Sequence, residues 1–172
     1  LAVKSGELRF ADSALSFADA ERTLLSDGAW TDDDDERLRS QATWCHGSPG
    51  IALSRLGILR HIDCASVRRD AESALHDTVA NLGLTSHGLC HGRLGTLAAL
   101  MLAGEVFASG EWREISRIQA DEIRRDIAST GCRTDRPGSV DVPGLMTGLA
   151  GIGLWMLRLT DENAAPNVLL LQ

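Results

Sequence analysis

Two short stretches carry residue types that could do chemistry: Trp44-Cys45-His46-Gly47 and Leu89-Cys90-His91-Gly92. Each sets a thiol beside an imidazole, just ahead of a glycine that opens an apolar run. They lie 45 residues apart, so only a folded scaffold can bring them together. Two thiolates and one imidazole form a three-ligand set for zinc with the fourth position open, the arrangement of catalytic rather than structural zinc. Cys45, Cys90 and His91 fit that count, although the residues alone leave the choice between His46 and His91 open. Two thiolates cancel the charge of the metal, so a third thiol bound from a substrate would be deprotonated near neutral pH and remain a good nucleophile. The chemistry implied is activation of a thiol rather than of water. Glycines permit tight turns at both loops, and helix N-termini just downstream favour the thiolate forms.

The remaining cysteines and histidines have plainer readings. Cys64 and Cys132 are expected to be small buried hydrophobes, and His61 and His76 to be structural or solvated. No acid–base residue is assigned. His46 and His87 are the candidates; His87, three residues before Cys90, could support a ligand or move a proton, against the commoner reading of a solvated side chain. The acidic run Asp32-Asp33-Asp34-Asp35-Glu36 lacks the spaced glycine and distal glutamate of a calcium loop, and reads as a solvated loop or a helix N-terminus.

The elements that must position these groups are helical. Phe10 to Ser26 reads as an amphipathic helix, with Phe10, Leu15, Phe17, Leu24 and Leu25 on one face. Ile51 to Leu59 is apolar nearly all round and so buried, with Pro49 at its first turn. Ser66 to Leu82 carries a stripe of Val67, Ala71, Leu75, Val79 and Leu82, with Gly83 as C-cap. A second buried helix runs to about Ala103. Glu111 to Thr130 turns Trp112, Ile115, Ile123 and Ile127 inward and ends at Gly131, and a Pro/Gly loop (Arg136 to Gly144) leads to a third apolar helix, Ile152 to Leu159. The Gly-x-x-Gly signal at Gly47/Gly50, Gly92/Gly95 and Gly148/Gly151 recurs at offsets of 45 and 56 residues, each time opening an apolar helix. Such repeats predict an all-α, two-layer array of stacked hairpins, with the glycine loops gathered at one rim if the array curves.

At 172 residues the chain is sized for one domain with a real core. Its 44% hydrophobic and 24% charged residues are those of a globular protein. A formal charge of −7 argues against a nucleic-acid surface. The longest apolar run, Leu94 to Gly104, is too short to span a bilayer, and the N-terminus has no signal-peptide pattern. The reading is cytoplasmic, where cysteines beside histidines are more often metal-binding or catalytic than disulfide-bonded. The chain begins with Leu1 rather than Met, and is expected to be a fragment.

The stretches Trp44-Cys45-His46-Gly47-Ser48-Pro49-Gly50-Ile51, Leu89-Cys90-His91-Gly92 and Gly144-Leu145-Met146-Thr147-Gly148-Leu149-Ala150-Gly151-Ile152-Gly153 resemble the lanthionine synthetase C-like family, specifically the C-terminal cyclase domain of class II lanthipeptide synthetases. The ending Pro166-Asn167-Val168-Leu169-Leu170-Leu171 is similar as well. That resemblance implies an α/α toroid of seven hairpins around a zinc, of which about three are present here. It makes Cys45, Cys90 and His91 the zinc ligands. It implies addition of a precursor-peptide cysteine thiol to dehydroalanine or dehydrobutyrine, closing a lanthionine or methyllanthionine ring. Met146 and Thr147 stand where the third repeat would carry a ligand pair, so that repeat is expected to close the ring structurally. The family's acid–base histidine has no counterpart before residue 45, and the dehydratase domain is absent, so residues 1–172 read as the C-terminal part of a larger enzyme. Two alternatives share the metal site: addition of glutathione or another free thiol to dehydroamino acids, and a non-catalytic zinc-bearing module that binds a peptide. Hairpin arrays without their neighbours expose apolar faces, so residues 1–172 expressed alone are expected to self-associate; a sharp, reversible thermal transition from a monomer in light scattering would contradict this.

Overall fold

A computed structural model describes residues 5–26, 29–30, 43–136 and 141–170. The acidic run Asp32–Glu36 and residues 137–140 of the Pro/Gly loop lie outside the described residues. Six α-helices are present among the described residues: α1 Arg9–Glu21, α2 Ser48–Leu59, α3 Ala65–Ala80, α4 Arg93–Val106, α5 Gly110–Thr130 and α6 Leu149–Arg158. A two-residue antiparallel pairing, Leu25 with Trp30 and Ser26 with Ala29, is the strand content among those residues. The fold is all-α, as the periodicity predicts.

Helices α2 and α3 pack against each other, as do α4 and α5, and the two apolar helices α2 and α4 meet between them. Each hairpin thus pairs an apolar helix with the amphipathic helix that follows it. The core centres on α2 and α4, where Leu53, Leu56, Leu97 and Leu100 are buried together with Leu75 of α3, Ile123 of α5 and Trp155 of α6. Each buried leucine stabilises the fold by about 2 kcal/mol. The stripe Val67, Ala71 and Leu75 faces inward as predicted, and so do Trp112 and Ile123. Leu82 lies past the end of α3 and is exposed. The C-cap of α3 is Asn81 rather than Gly83, whereas Gly131 caps α5 at φ 81°.

The N-terminal segment departs from expectation. The helix stops at Glu21, followed by a short 3₁₀ turn over Arg22–Leu24, and Phe17 is 71% exposed and Leu24 43%. The face that docks carries Ala18, Glu21 and Arg22 instead. Buried Arg55 of α2 donates to the Glu21 carboxylate (2.5 Å) and to the Ala18 carbonyl (3.1 Å). Arg22 forks onto buried Asp70 of α3 at 2.8–3.1 Å. A buried arginine needs carboxylate partners more than it needs apolar cover, and that requirement overrides the periodicity of α1.

The three glycine loops repeat one close contact. Gly47, Gly92 and Gly148 are the N-cap residues of α2, α4 and α6, and Gly47 sits at φ 140°, where side chains are strained. A Cβ on the second glycine of each pair would run into a carbonyl six residues back: Trp44 for Gly50, Leu89 for Gly95, Leu145 for Gly151. The helix therefore starts in contact with its own loop. Replacing Gly95 with Ala should lower stability by about 2 kcal/mol or more. Gly153→Ala, at an open helical position, should raise it by roughly 0.5–1 kcal/mol. Thermal denaturation of the pair measures both.

Candidate metal centre

The loops ahead of α2 and α4 meet through their backbones. The Trp44 amide donates to the Cys90 carbonyl at 3.1 Å, and the Leu89 and Cys90 amides both donate to the Met146 carbonyl at 2.9 Å. In repeat terms these are the same bond made twice, first loop to second and second loop to third. The third loop, which carries Met146 and Thr147 in place of a cysteine–histidine pair, supplies backbone acceptors: Met146 for the second loop, and Thr147 for the amide of Asp135 at 2.9 Å.

The convergence that the first two motifs imply is realised. One donor atom each from Cys45, Cys90 and His91 lie within 4.8 Å of one another. Cys45 Sγ stands 3.3 Å from His91 Nε2, and ligands at zinc distances in a tetrahedron would stand roughly 3.5 Å apart. Both thiols are half-buried and the imidazole is exposed. Burial pushes the Cys90 thiol up to about 12, with the neighbouring Cys45 thiol and the Asp135 charge adding to it. Without a cation, the second thiolate is held off by its surroundings. Two soft thiols and an imidazole brought this close together fit a zinc ion and leave one coordination position over.

Of the two histidines in the motifs, His91 joins the cluster. His46 is exposed and lines, with Cys45, a cleft of about 320 Å³. Trp44, Ile51, Leu53, Leu169 and Leu170 form its apolar walls, with Glu21 at its edge.

His87 is neither solvated nor at the cluster. It is fully buried, and its Nδ1 accepts the Arg133 amide at 2.9 Å. A neutral ring has one acceptor, so the proton sits on Nε2 and faces the Asp126 carboxylate, 3.2 Å away. Asp126, on α5, also takes the guanidinium of Arg133 and that of Arg93. The Arg133 contact foremost, then His87, holds the Asp126 carboxyl well below the usual carboxylate range. Both ring nitrogens of His87 are thus committed to structure.

Two further expectations are corrected. Cys132 is exposed, because it lies in the loop beyond Gly131, and Cys64 is half-buried at the N-cap of α3. The Cys64 thiol, 3.3 Å from the Ser66 hydroxyl, is held below its ordinary value by that contact and by the Val67 amide. His76 is exposed and its ring packs 5.6 Å from that of Trp112. All four cysteines are free.

Asp135 carries no signal in the sequence. Its side chain is 1% exposed. One oxygen accepts the Gly88 amide at 3.1 Å and the other accepts the His91 amide at 2.9 Å. It has neither helical spacing nor a motif of its own, and only the folded chain places it behind His91.

Burial depresses the His87 imidazole below its ordinary value, reinforced by the charges of Arg133 and Arg93 and opposed by Asp126. Below about pH 6.5 the unfolded chain takes up a proton that the folded chain refuses, so stability falls as pH drops through that range. The loss from Asp126 begins only below about pH 4. Thermal melts between pH 7 and pH 5 should show a decline of up to ~1.4 kcal/mol per pH unit from this residue, and His87→Gln should flatten it.

A family profile described as lanthionine synthetase C-like protein matches residues 4–170. No curated protein matches the chain. Among the described residues, no helix is long and apolar enough to cross a membrane.

Proposed function

Because the chain belongs to the lanthionine synthetase C-like family, we propose that it forms thioether rings in a precursor peptide, with Cys45, Cys90 and His91 holding a zinc ion. The observation that carries this reading is the convergence of those three donors in a chain of this family. We place the hairpins in an α/α toroid, as part of a cyclase domain. Zinc at this site would supply the Lewis acidity that lets a thiol shed its proton near neutral pH.

The residues of the chain do the rest. Cys45 and Cys90 contribute two negative charges, which keep a third thiolate nucleophilic instead of quenching it. His91 turns Nε2 toward Cys45. The cleft beside Cys45 receives the peptide segment that flanks the reacting cysteine, its apolar walls excluding water from the thiolate. In the reaction the sulfur adds to the β-carbon of dehydroalanine or dehydrobutyrine, and the α-carbon takes up a proton. His46, exposed on the wall of that cleft, is the proton-transfer candidate that the geometry retains, whereas His87 is enclosed and fully engaged.

The test uses a peptide with one cysteine and one dehydroalanine. Purified protein should carry one zinc per chain, and the peptide should lose its alkylatable thiol with no change in mass. Cys45→Ala and Cys90→Ala should both lose the metal and leave the thiol reactive. A folded protein without zinc would overturn the reading. Zinc without thiol consumption would leave a peptide-binding module, and glutathione added to the dehydroalanine instead would indicate a free-thiol transferase.

A further inference from the structure

We propose that Asp135 is the positioning residue for His91, fixing the orientation and proton position of the imidazole so that Nε2 faces the metal. This rests on the reading of Cys45, Cys90 and His91 as ligands. Asp135 lies between α5 and α6, 44 residues beyond His91, and its carboxylate is 1% exposed. Buried carboxylates are ordinarily paired with a cation, yet among the described residues no lysine or arginine forms an ion pair with this one. Its partners are the amides of Gly88 and His91 and, at 3.9 Å, the Nδ1 of His91.

That last approach points to a role beyond closing a loop. The same oxygen, Oδ2, that accepts the His91 amide lies nearest Nδ1, while Nε2 of the ring faces Cys45 at 3.3 Å. A histidine that ligates through Nε2 needs its proton on Nδ1 and an acceptor for it, and carboxylates commonly serve. At 3.9 Å Oδ2 stands just outside hydrogen-bond distance of Nδ1; its negative charge acts on the ring from there, and closing that gap when a metal binds would make it the acceptor. Its surroundings are built to hold it. A Cβ on Gly88 would occupy the space of the carboxylate, and one on Gly92 would strike the backbone of Gly88. The Asp135 amide is tied to Thr147, and two residues before it the Arg133 amide and carbonyl are tied to the ring and the amide of His87. The carboxylate is therefore located from both sides.

Cobalt(II) and zinc affinity, measured by chelator competition, test this together with the cobalt ligand-field spectrum. Asp135→Asn should fold, bind either metal about 10–100-fold more weakly and shift the cobalt bands. In a His91→Ala background the same substitution should cost little more, because the ligand it acts through is gone. An equal loss in both backgrounds would mean that Asp135 merely holds the loop, and would overturn the proposal. Wild-type affinity in Asp135→Asn, where His91→Ala is weakened, would overturn it too. Unchanged metal binding in His91→Ala would instead remove the ligand reading beneath it. If Asp135→Asn does not fold, Asp135→Ser, which keeps an acceptor for the amides without the charge, is judged by the same outcomes.

Discussion

The amide of Trp44 donates to the carbonyl of Cys90, and the amides of Leu89 and Cys90 donate to the carbonyl of Met146. These bonds join three loops that are far apart in the chain, and the placement of Cys45, Cys90 and His91 depends on them. A thiol on a freely hinged loop would lose much of its affinity for metal to the entropy of assembly. Here the main chain carries that ordering, and the side chains need only their own rotamers. The glycines make the arrangement possible, since each helix starts so close to its loop that a Cβ would meet a carbonyl.

Behind the loops lie two part-buried polar clusters, one built on buried Arg55 and Asp70 and the other on buried His87. Arg55, Asp70, Glu21 and Arg22 fasten α1 to the first hairpin. Asp126, Arg133, Arg93 and His87 fasten α5 to the second loop and the segment that follows α5. Pairs of this kind add little net stability when intact, but removing one member strands a charge. They contribute registration, because the hydrophobic face of a helix can slide by a turn at modest cost and a forked arginine cannot.

Much of this was legible in the sequence. Periodicity located the helices α2 to α6, because apolar burial dominates their packing. The doubled Cys-His-Gly motif located the cluster, because a repeat superimposes like positions. The unread parts share one cause: they depend on contacts between residues with no common period. Phe17 lies exposed because Arg55 selects the other face of α1. His87 is enclosed because Arg133, 46 residues later, folds over it. Asp135 belongs to the stretch that makes the second repeat longer than the first, so comparison of repeats has no position to set it against.

The unequal repeats, with offsets of 45 and 56 residues between corresponding loops, show where the chain can change length. Helix α5 runs 21 residues against 16 for α3, and the connection after it is longer too, yet the carbonyl-to-amide pairing at the rim keeps its register. Insertions and deletions are absorbed in the outer helices and the connections that follow them. A single residue gained or lost between Trp44 and Gly50, or between Leu89 and Gly95, would displace a cysteine from the cluster and carry a side chain into a carbonyl. The architecture thus separates a rim of fixed length from a periphery free to lengthen, and the extra length of the second repeat is what delivers a carboxylate to the back of His91.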